Sequence, residues 1–265
     1  MAGATADRRV ARYREARADP CLAVLEGLHA LKHALRFGAV VEQAATPDRA
    51  TALALAERLA PDLVERLEEL LEEVPAELFA RLAPRPPATG VLAIARRPPL
   101  ALEALLDRPT RAPLVLLENP GDLGNVGAVV RVAAAAGAAG VLATGRHDPW
   151  HPAALRGSAG LHFALPVMRI EALPLSPRPL VALHPEGEPL TGPALPEDAV
   201  LAFGTERGGL SRELLVRASR RIAIPMAPGV SSLNLATAVA VTLYAWRLGG
   251  ARTERVGLPA TPGTR

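Results

Sequence analysis

Asn125 and Arg131 stand six residues apart in "ENPGDLGNVGAVVRVAAAAG", one at the mouth of an expected helix and one inside it. An arginine within "AVVRVAAAA" is costly to bury. It must pair with a carboxylate, face a site, or lie on a solvated side of the helix. Further on, "AFGTERGGLS" places Glu206 among Gly204 and two later glycines, just after a strand-like run. Glu206 is a candidate partner for Arg131, and glycine there lets backbone approach a ligand closely. The third stretch, "IPMAPGVSSLN" from Ile224 to Asn234, precedes a long Ala/Leu/Val helix. Ser231 or Ser232 can cap that helix, with Asn234 in its first turn. Capping leaves unexplained why three apolar strands each run into a Gly-containing loop that carries an Asn, a Glu or a Ser. The carboxyl ends of strands in an open α/β sheet are where ligands bind.

The surrounding pattern supplies those strands. From "LVLLENP" onward, strand-like runs ("PLVLLE", "GVLATG", "LVALH", "AVLAFG", "RIAIPM") alternate with helical ones ("GAVVRVAAAAG", "RELLVRAS", "LNLATAVAVTLYAWRLG"). That alternation implies a mostly parallel sheet covered on both faces. Ser211 is placed to cap "RELLVRAS". The first section, to about Arg97, reads as a small α/β unit. "CLAVLEGLHALKHALRFG" is helical in its spacing and ends at Gly38, "AVVEQAA" and "GVLAIARR" are strands, and "RATALALAERLAPDLVERLEELLEEV" is a helix broken at Pro61. Glu65, Glu68, Glu69, Glu72 and Glu73 form a solvated face. Pro98, Pro99, Pro109 and Pro113 punctuate a semi-rigid linker with one short helical piece, and "ARTERVGLPATPGTR" reads as a disordered tail.

Taken in order, "NPGDLGNVGAVVRVAAAAG", "FGTERGGLS" and "IPMAPGVSSLNLATAVA" resemble the three signature motifs of the SpoU/TrmH branch of the SPOUT RNA methyltransferases. "RGSAGLHFALPV" is similar to a stretch common between the first two motifs. The resemblance covers about Ala112 to Gly250. The amino-terminal section, through "LEGLHALKHAL", is similar to an L30e-like substrate-binding domain. The implied fold is α/β: a small L30e-like domain (1–98), a linker (99–111), and a SPOUT parallel-sheet domain with a carboxyl-terminal trefoil knot (112–251), followed by the tail (252–265).

The resemblance implies S-adenosylmethionine as cofactor, cradled by Gly204, Ile224 and Leu233, with Met226 beside it. It implies methyl transfer to a ribose 2′-hydroxyl of structured RNA, with rRNA ahead of tRNA. Asn125 and Arg131 would act at the hydroxyl and the neighbouring phosphate, and Glu206, Ser232 and Asn234 would complete the site. A guanidinium gives up its proton too reluctantly to serve easily as a base, so stabilising an alkoxide or placing a phosphate suits Arg131 better. It also implies a homodimer through the final helix and the knot. The chain departs from the family's habit in following its arginine with "VAAAAG", where a polar or acidic residue is common.

Bulk composition narrows the alternatives. Hydrophobic residues make up 49% of 265, enough for a sizeable core. No apolar run is long enough to span a bilayer, no secretion signal is evident, and the cytoplasm is the default compartment. Cys21, the single cysteine, excludes an intrachain disulfide and a cysteine cluster for zinc, and reads as a small core residue near a helix start. No metal site is expected. The net charge of +3 is mildly favourable to a polyanion. Arg8, Arg9, Arg12, Arg14 and Arg17 could touch phosphates as a basic arm or form a solvated helix face. Aromatic residues are 3%, so base-stacking platforms are scarce and folded RNA shape matters more. His147, His151 and His162 read as ordinary surface or core histidines. A nicotinamide-binding reading of Gly121, Gly124 and Gly127, with Asp148 as the ribose acid, leaves the second and third loops unexplained. A non-catalytic RNA-binding protein of the same fold would have lost the arginine or a cofactor loop, and both are intact.

Overall fold

The computed structural model describes residues 2–190, 195–205 and 208–250. The chain begins with α1 (Ala2–Ala18), then β1 (Leu22–Glu26), α2 (Leu28–Arg36), β2 (Val41–Thr46), α3 (Arg49–Leu59), α4 (Val64–Leu70), β3 (Leu71–Glu73), α5 (Ala76–Leu82) and β4 (Leu92–Arg96). After α6 (Leu102–Asp107) come β5 (Leu114–Leu117), α7 (Leu123–Ala136), β6 (Gly140–Ala143), α8 (Pro152–Gly157) and β7 (Val167–Arg169). The last elements are β8 (Leu180–Pro189), β9 (Val200–Phe203), α9 (Arg212–Arg217), β10 (Arg220–Ala223) and α10 (Leu235–Gly250). The expected tail and Glu206 lie outside the described residues.

Two sheets result. The first has the order β1-β4-β2-β3, with β4 antiparallel to β1 and β2, and β3 parallel to β2. The second has the order β10-β8-β9-β5-β6-β7, with all its pairs parallel as the alternating pattern implied. Period-two alternation sends Val115 and Leu117 of β5 to one face, against Val126, Val129 and Val130 of α7 and Val239 of α10. Leu114 and Leu116 point the other way, against Leu105 and Leu106 of α6 and Leu214 of α9. The first of these clusters continues without a break through Ala23 and Leu25 of β1 and Leu28 and Leu31 of α2. The two sheets therefore share one apolar core.

Three expectations are corrected. The segment 21–38 is not one helix, because "LAVLE" is a fully buried strand and Gly27, at φ 106°, turns the chain before α2 starts. A continuous apolar run suits a buried strand as well as a helix, and only the glycine separates the two. Cys21 is exposed, in the turn before β1, and not in the core. "LEE" at 71–73 leaves the helix to pair in parallel with β2, although its glutamates do stay solvated. The Arg-rich start is a helix rather than a free arm. Arg9, Arg12 and Arg17 pair with Glu72, Glu42 and Glu26.

Candidate functional site

The middle of β8, the carboxyl ends of β9 and β10 and the start of α10 enclose a cleft of about 410 Å³. Gly204, Ile224, Met226 and Leu233 all line it, and so does Ser232. Its remaining walls include Phe203, Ile222 and Leu235, with hydroxyls from Thr205, Ser231 and Ser232. A mostly apolar cleft with a few convergent polar groups is the usual make-up of a small-molecule site.

Each wall has a local cause. β8 pairs with β9 only as far as Ala182, and it rejoins β10 with Glu188 opposite Ile222. The stretch between them bulges from the sheet, so Leu183, His184 and Pro185 become one wall. Sequence reading missed this wall. Its only signal was "HPEG", a Pro/Gly pair inside an otherwise strand-like run. The second wall is the loop after β9. Thr205 and Gly209 exchange both backbone hydrogen bonds at 3.1 Å, and the Gly208 N–H donates to Thr205 Oγ1 at 2.8 Å. A Cβ on Gly204 would lie 2.0 Å from the Gly209 carbonyl carbon. Gly204 is therefore bare because its own loop folds back on it, as well as because it faces the cleft. Glu118, at the end of β5, accepts from the Ser211 N–H at 2.6 Å and ties the far end of this loop to the neighbouring strand. That brace was also missed, since a glutamate before "NP" carries no signal without the fold. Ser211 caps α9 as expected.

The third wall leads into α10. The cap of that helix is Asn234, not either serine: its Oδ1 accepts from the Ala236 and Thr237 N–H groups at 2.9 and 3.4 Å. Its Nδ2 donates to Asn125 Oδ1 at 3.0 Å, which joins the first and third loops. Asn125 is held in turn by Asp122, the N-cap of α7, which accepts from the Asn125 N–H at 2.7 Å. Ser232 is left exposed, with its hydroxyl on the cleft. Arg131, two turns along α7, is exposed and makes no ion pair with a described residue.

Gly127 of the first loop serves packing. A Cβ on Gly127 would sit 2.2 Å from the Ala154 carbonyl oxygen, so α7 and α8 touch backbone to backbone. Asp148 pairs with Arg97 at 2.8 Å and accepts from the Trp150 N–H. His151 caps α8, and His162 is fully buried, bonded to Ser158 Oγ and the Pro149 carbonyl oxygen. Burial pushes the His162 imidazole down to about 4, which keeps it neutral. Among the described residues there is no His/Cys/Asp/Glu group able to hold a metal, and no helix long and apolar enough to cross a membrane.

Comparison with known proteins places this arrangement. The 23S rRNA (guanosine(2553)-2′-O)-methyltransferase RlmP of Bacillus subtilis is 27% identical over 233 residues, 83% of this chain and 86% of its own length. The 23S rRNA (adenosine(1067)-2′-O)-methyltransferase of Streptomyces laurentii is 33% identical over 165 residues, 58% of this chain and 60% of its own. The chain spans about half the length of some curated relatives it matches, such as 51% of one from Synechocystis. The AdoMet-bound rRNA methyltransferase of Sinorhizobium meliloti is similar over 92% of this chain and 94% of its own, with TM-score 0.71 and 26% identity. AviRb of Streptomyces viridochromogenes, solved with AdoMet, shares the fold with TM-score 0.72 over 92% and 98%, at 23% identity. The model of the SpoU rRNA Methylase family matches residues 112–244, half of the chain, with all three loops inside the match. The chain belongs to the SpoU rRNA methylase family.

Proposed function

We propose that the protein is an S-adenosylmethionine-dependent methyltransferase acting on a ribose 2′-hydroxyl of RNA, with rRNA as its substrate. The observation that carries this is the cleft walled by the second and third loops, with the first loop tied to the third beside it through the Asn125–Asn234 bond. The residues fit the cofactor. Ile224, Met226 and Leu233 offer apolar surface for an adenine ring, while Gly204 and Gly209 expose backbone, and the serine and threonine hydroxyls suit its polar groups. When bound, the cofactor supplies a methyl group already activated on sulfur. What remains for the chain is to align the hydroxyl, tolerate loss of its proton to solvent, and steady the charge left on oxygen. Arg131, exposed and permanently charged, suits the oxygen or the adjacent phosphate. Asn125 and Ser232 orient the hydroxyl, Asn234 fixes Asn125, and Glu206 completes the site.

Residues 1–98 are read as an L30e-like RNA-binding unit, 99–111 as the connection and 112–251 as the methyltransferase domain with its trefoil knot. A homodimer forms through α10, whose Val241, Tyr244 and Leu248 are exposed apolar side chains on a helix that buries Leu235, Val239 and Leu243. The protein works in the cytoplasm, without a metal ion.

The test pairs calorimetric titration of S-adenosylmethionine with transfer of a labelled methyl group to deproteinised 23S rRNA. Wild type and Arg131→Ala should both bind the cofactor, and only wild type should give a 2′-O-methylated nucleotide by mass spectrometry. A folded wild-type protein that fails to bind the cofactor would sink the reading.

A further inference from the structure

Arg131 does not stand alone on the surface. α2 docks beside it through close contacts: His33 Nδ1 lies 2.7 Å from the Ala159 carbonyl oxygen, and a Cβ on Gly160 would be 2.4 Å from that of Ala30. The docking turns one face of α2 outward next to α7. His29, Lys32, His33 and Arg36 recur at helical spacing on that face, and Phe37 follows at its end. Partial desolvation against neighbouring side chains holds the His29 and His33 imidazoles below their ordinary range, and Lys32 and the Arg131 guanidinium push both the same way. The five basic side chains are thus electrostatic neighbours, although they come from two separate parts of the sequence.

The charge on this face is only partly used internally. Arg36 pairs with Asp62, and Lys32 reaches the Leu59 carbonyl oxygen at 3.4 Å. His29 is exposed. Phe37 is 49% exposed, an unusual position in a chain so poor in aromatics. Lys32 is also the only lysine among 30 lysine and arginine side chains.

We infer that the outward face of α2, from His29 through Lys32, His33 and Arg36 to Phe37, holds the RNA backbone flanking the nucleotide presented to Arg131. This rests on the methyltransferase reading above and names the part of the amino-terminal unit that serves it. The face is about 12 Å long, at about 1.5 Å per residue. It meets the chemistry of single-stranded or looped RNA in two ways. Cations along it neutralise phosphates, and imidazole nitrogens exchange hydrogen bonds with 2′-hydroxyls. Phe37 at the far end offers a ring on which one unpaired base can stack.

The single lysine makes the test direct. Wild-type protein is acetylated with an amine-selective ester, alone and with deproteinised 23S rRNA, and Lys32 modification is read by peptide mass spectrometry. In parallel, Lys32→Glu, Lys32→Gln and Phe37→Ala are compared with wild type for S-adenosylmethionine affinity, for the KM of rRNA and for the salt dependence of RNA binding. The expected result is protection of Lys32 by rRNA. The variants should raise the KM for rRNA about 10-fold, with cofactor affinity unchanged and a salt slope smaller by about 1 for Lys32→Gln. If wild type methylates rRNA yet Lys32 stays fully reactive and the variants keep the wild-type KM, the α2 face is not the RNA track. If wild type neither binds the cofactor nor methylates rRNA, the underlying reading fails and this inference with it.

Discussion

Asn234 and Asn125, 109 residues apart in sequence, share one hydrogen bond at 3.0 Å in which the Asn234 amide donates and the Asn125 side-chain oxygen accepts. The same Asn234 caps α10 with its own oxygen. One residue thus fixes the start of the last helix and the orientation of a side chain on α7. Asn234→Ala should lose the cap, at about 1 kcal/mol of stability, together with most methyl transfer. Asn125→Ala should keep stability close to wild type and lose transfer to a similar degree. A double-mutant cycle on kcat/KM, with urea unfolding alongside, should show strong non-additivity. Additive losses would mean that the bond does not couple the two roles.

The glycines of the second loop should differ sharply when each receives a methyl group. At Gly204 the added carbon would collide with the Gly209 backbone at 2.0 Å, so the loop must open. At Gly209 nothing lies within 4 Å, and the cost is the left-handed backbone alone, at φ 62°. That is about 1–2 kcal/mol. Gly204→Ala should weaken S-adenosylmethionine at least 10-fold by calorimetry, and Gly209→Ala by clearly less. Equal losses would show that the return of the loop onto Gly204 does not shape the cleft.

The three loops were legible because each pairs a strand end with residues whose chemistry is odd for a connector. The parallel sheet was legible because apolar runs and helical periods alternate from 114 onward. What escaped had non-local causes. β1 looked helical because "LAVLE" is buried on both faces and so shows no alternation. The wall at Leu183–Pro185 exists only because β8 changes partners beyond Ala182. Glu118 means nothing until β5 and β9 are neighbours. Asn234 was placed inside the helix that it caps, an error of one residue at a boundary where two serines offered an equally good cap.

Glu118 should act on the cofactor through the loop that it braces. Its carboxylate accepts from the Ser211 N–H at 2.6 Å, and its own N–H donates to the Phe203 carbonyl oxygen. Glu118→Ala removes the acceptor and leaves that loop end loose, so the dissociation constant for S-adenosylmethionine should rise several-fold. Glu118→Gln keeps a carbonyl oxygen in place and should restore most of the affinity. If both variants fail alike, charge rather than the hydrogen bond is what matters at this position.

Acid should weaken the protein partly through His162. Its imidazole is pushed down from 6.5 to about 4 by burial, so the unfolded chain takes up the proton first. The stability it protects is complete above pH 6.5 and drains as pH falls from there toward 4. That amounts to about 3 kcal/mol at most. His162→Gln should be less stable than wild type at pH 7.5, with the gap shrinking by about 2 kcal/mol at pH 4.5. His29, His33 and His151 are also held low by partial desolvation, but they contribute to both proteins and cancel in the difference. Urea unfolding at the two pH values checks it, and a constant gap would contradict it.

Arg178 should govern how firmly α6 and the chain leading into β5 are held. Its side chain is buried, and its guanidinium donates to four carbonyl oxygens: Leu106 and Arg108 at 2.9 Å, Asp198 at 3.0 Å and Ala112 at 3.3 Å. One planar fork thus clamps the end of α6 and the start of β5 to the turn before β9. An ammonium group cannot reach all four acceptors, because it is a single point on a flexible stem. Arg178→Lys should therefore cost about 2 kcal/mol, and Arg178→Met about 3 kcal/mol because every acceptor loses its donor. Amide hydrogen exchange across 102–110 should quicken in Arg178→Lys while S-adenosylmethionine affinity holds, since no residue of the clamp lines the cleft. Unchanged exchange there would mean that the proline-rich backbone keeps the connection in place without the clamp.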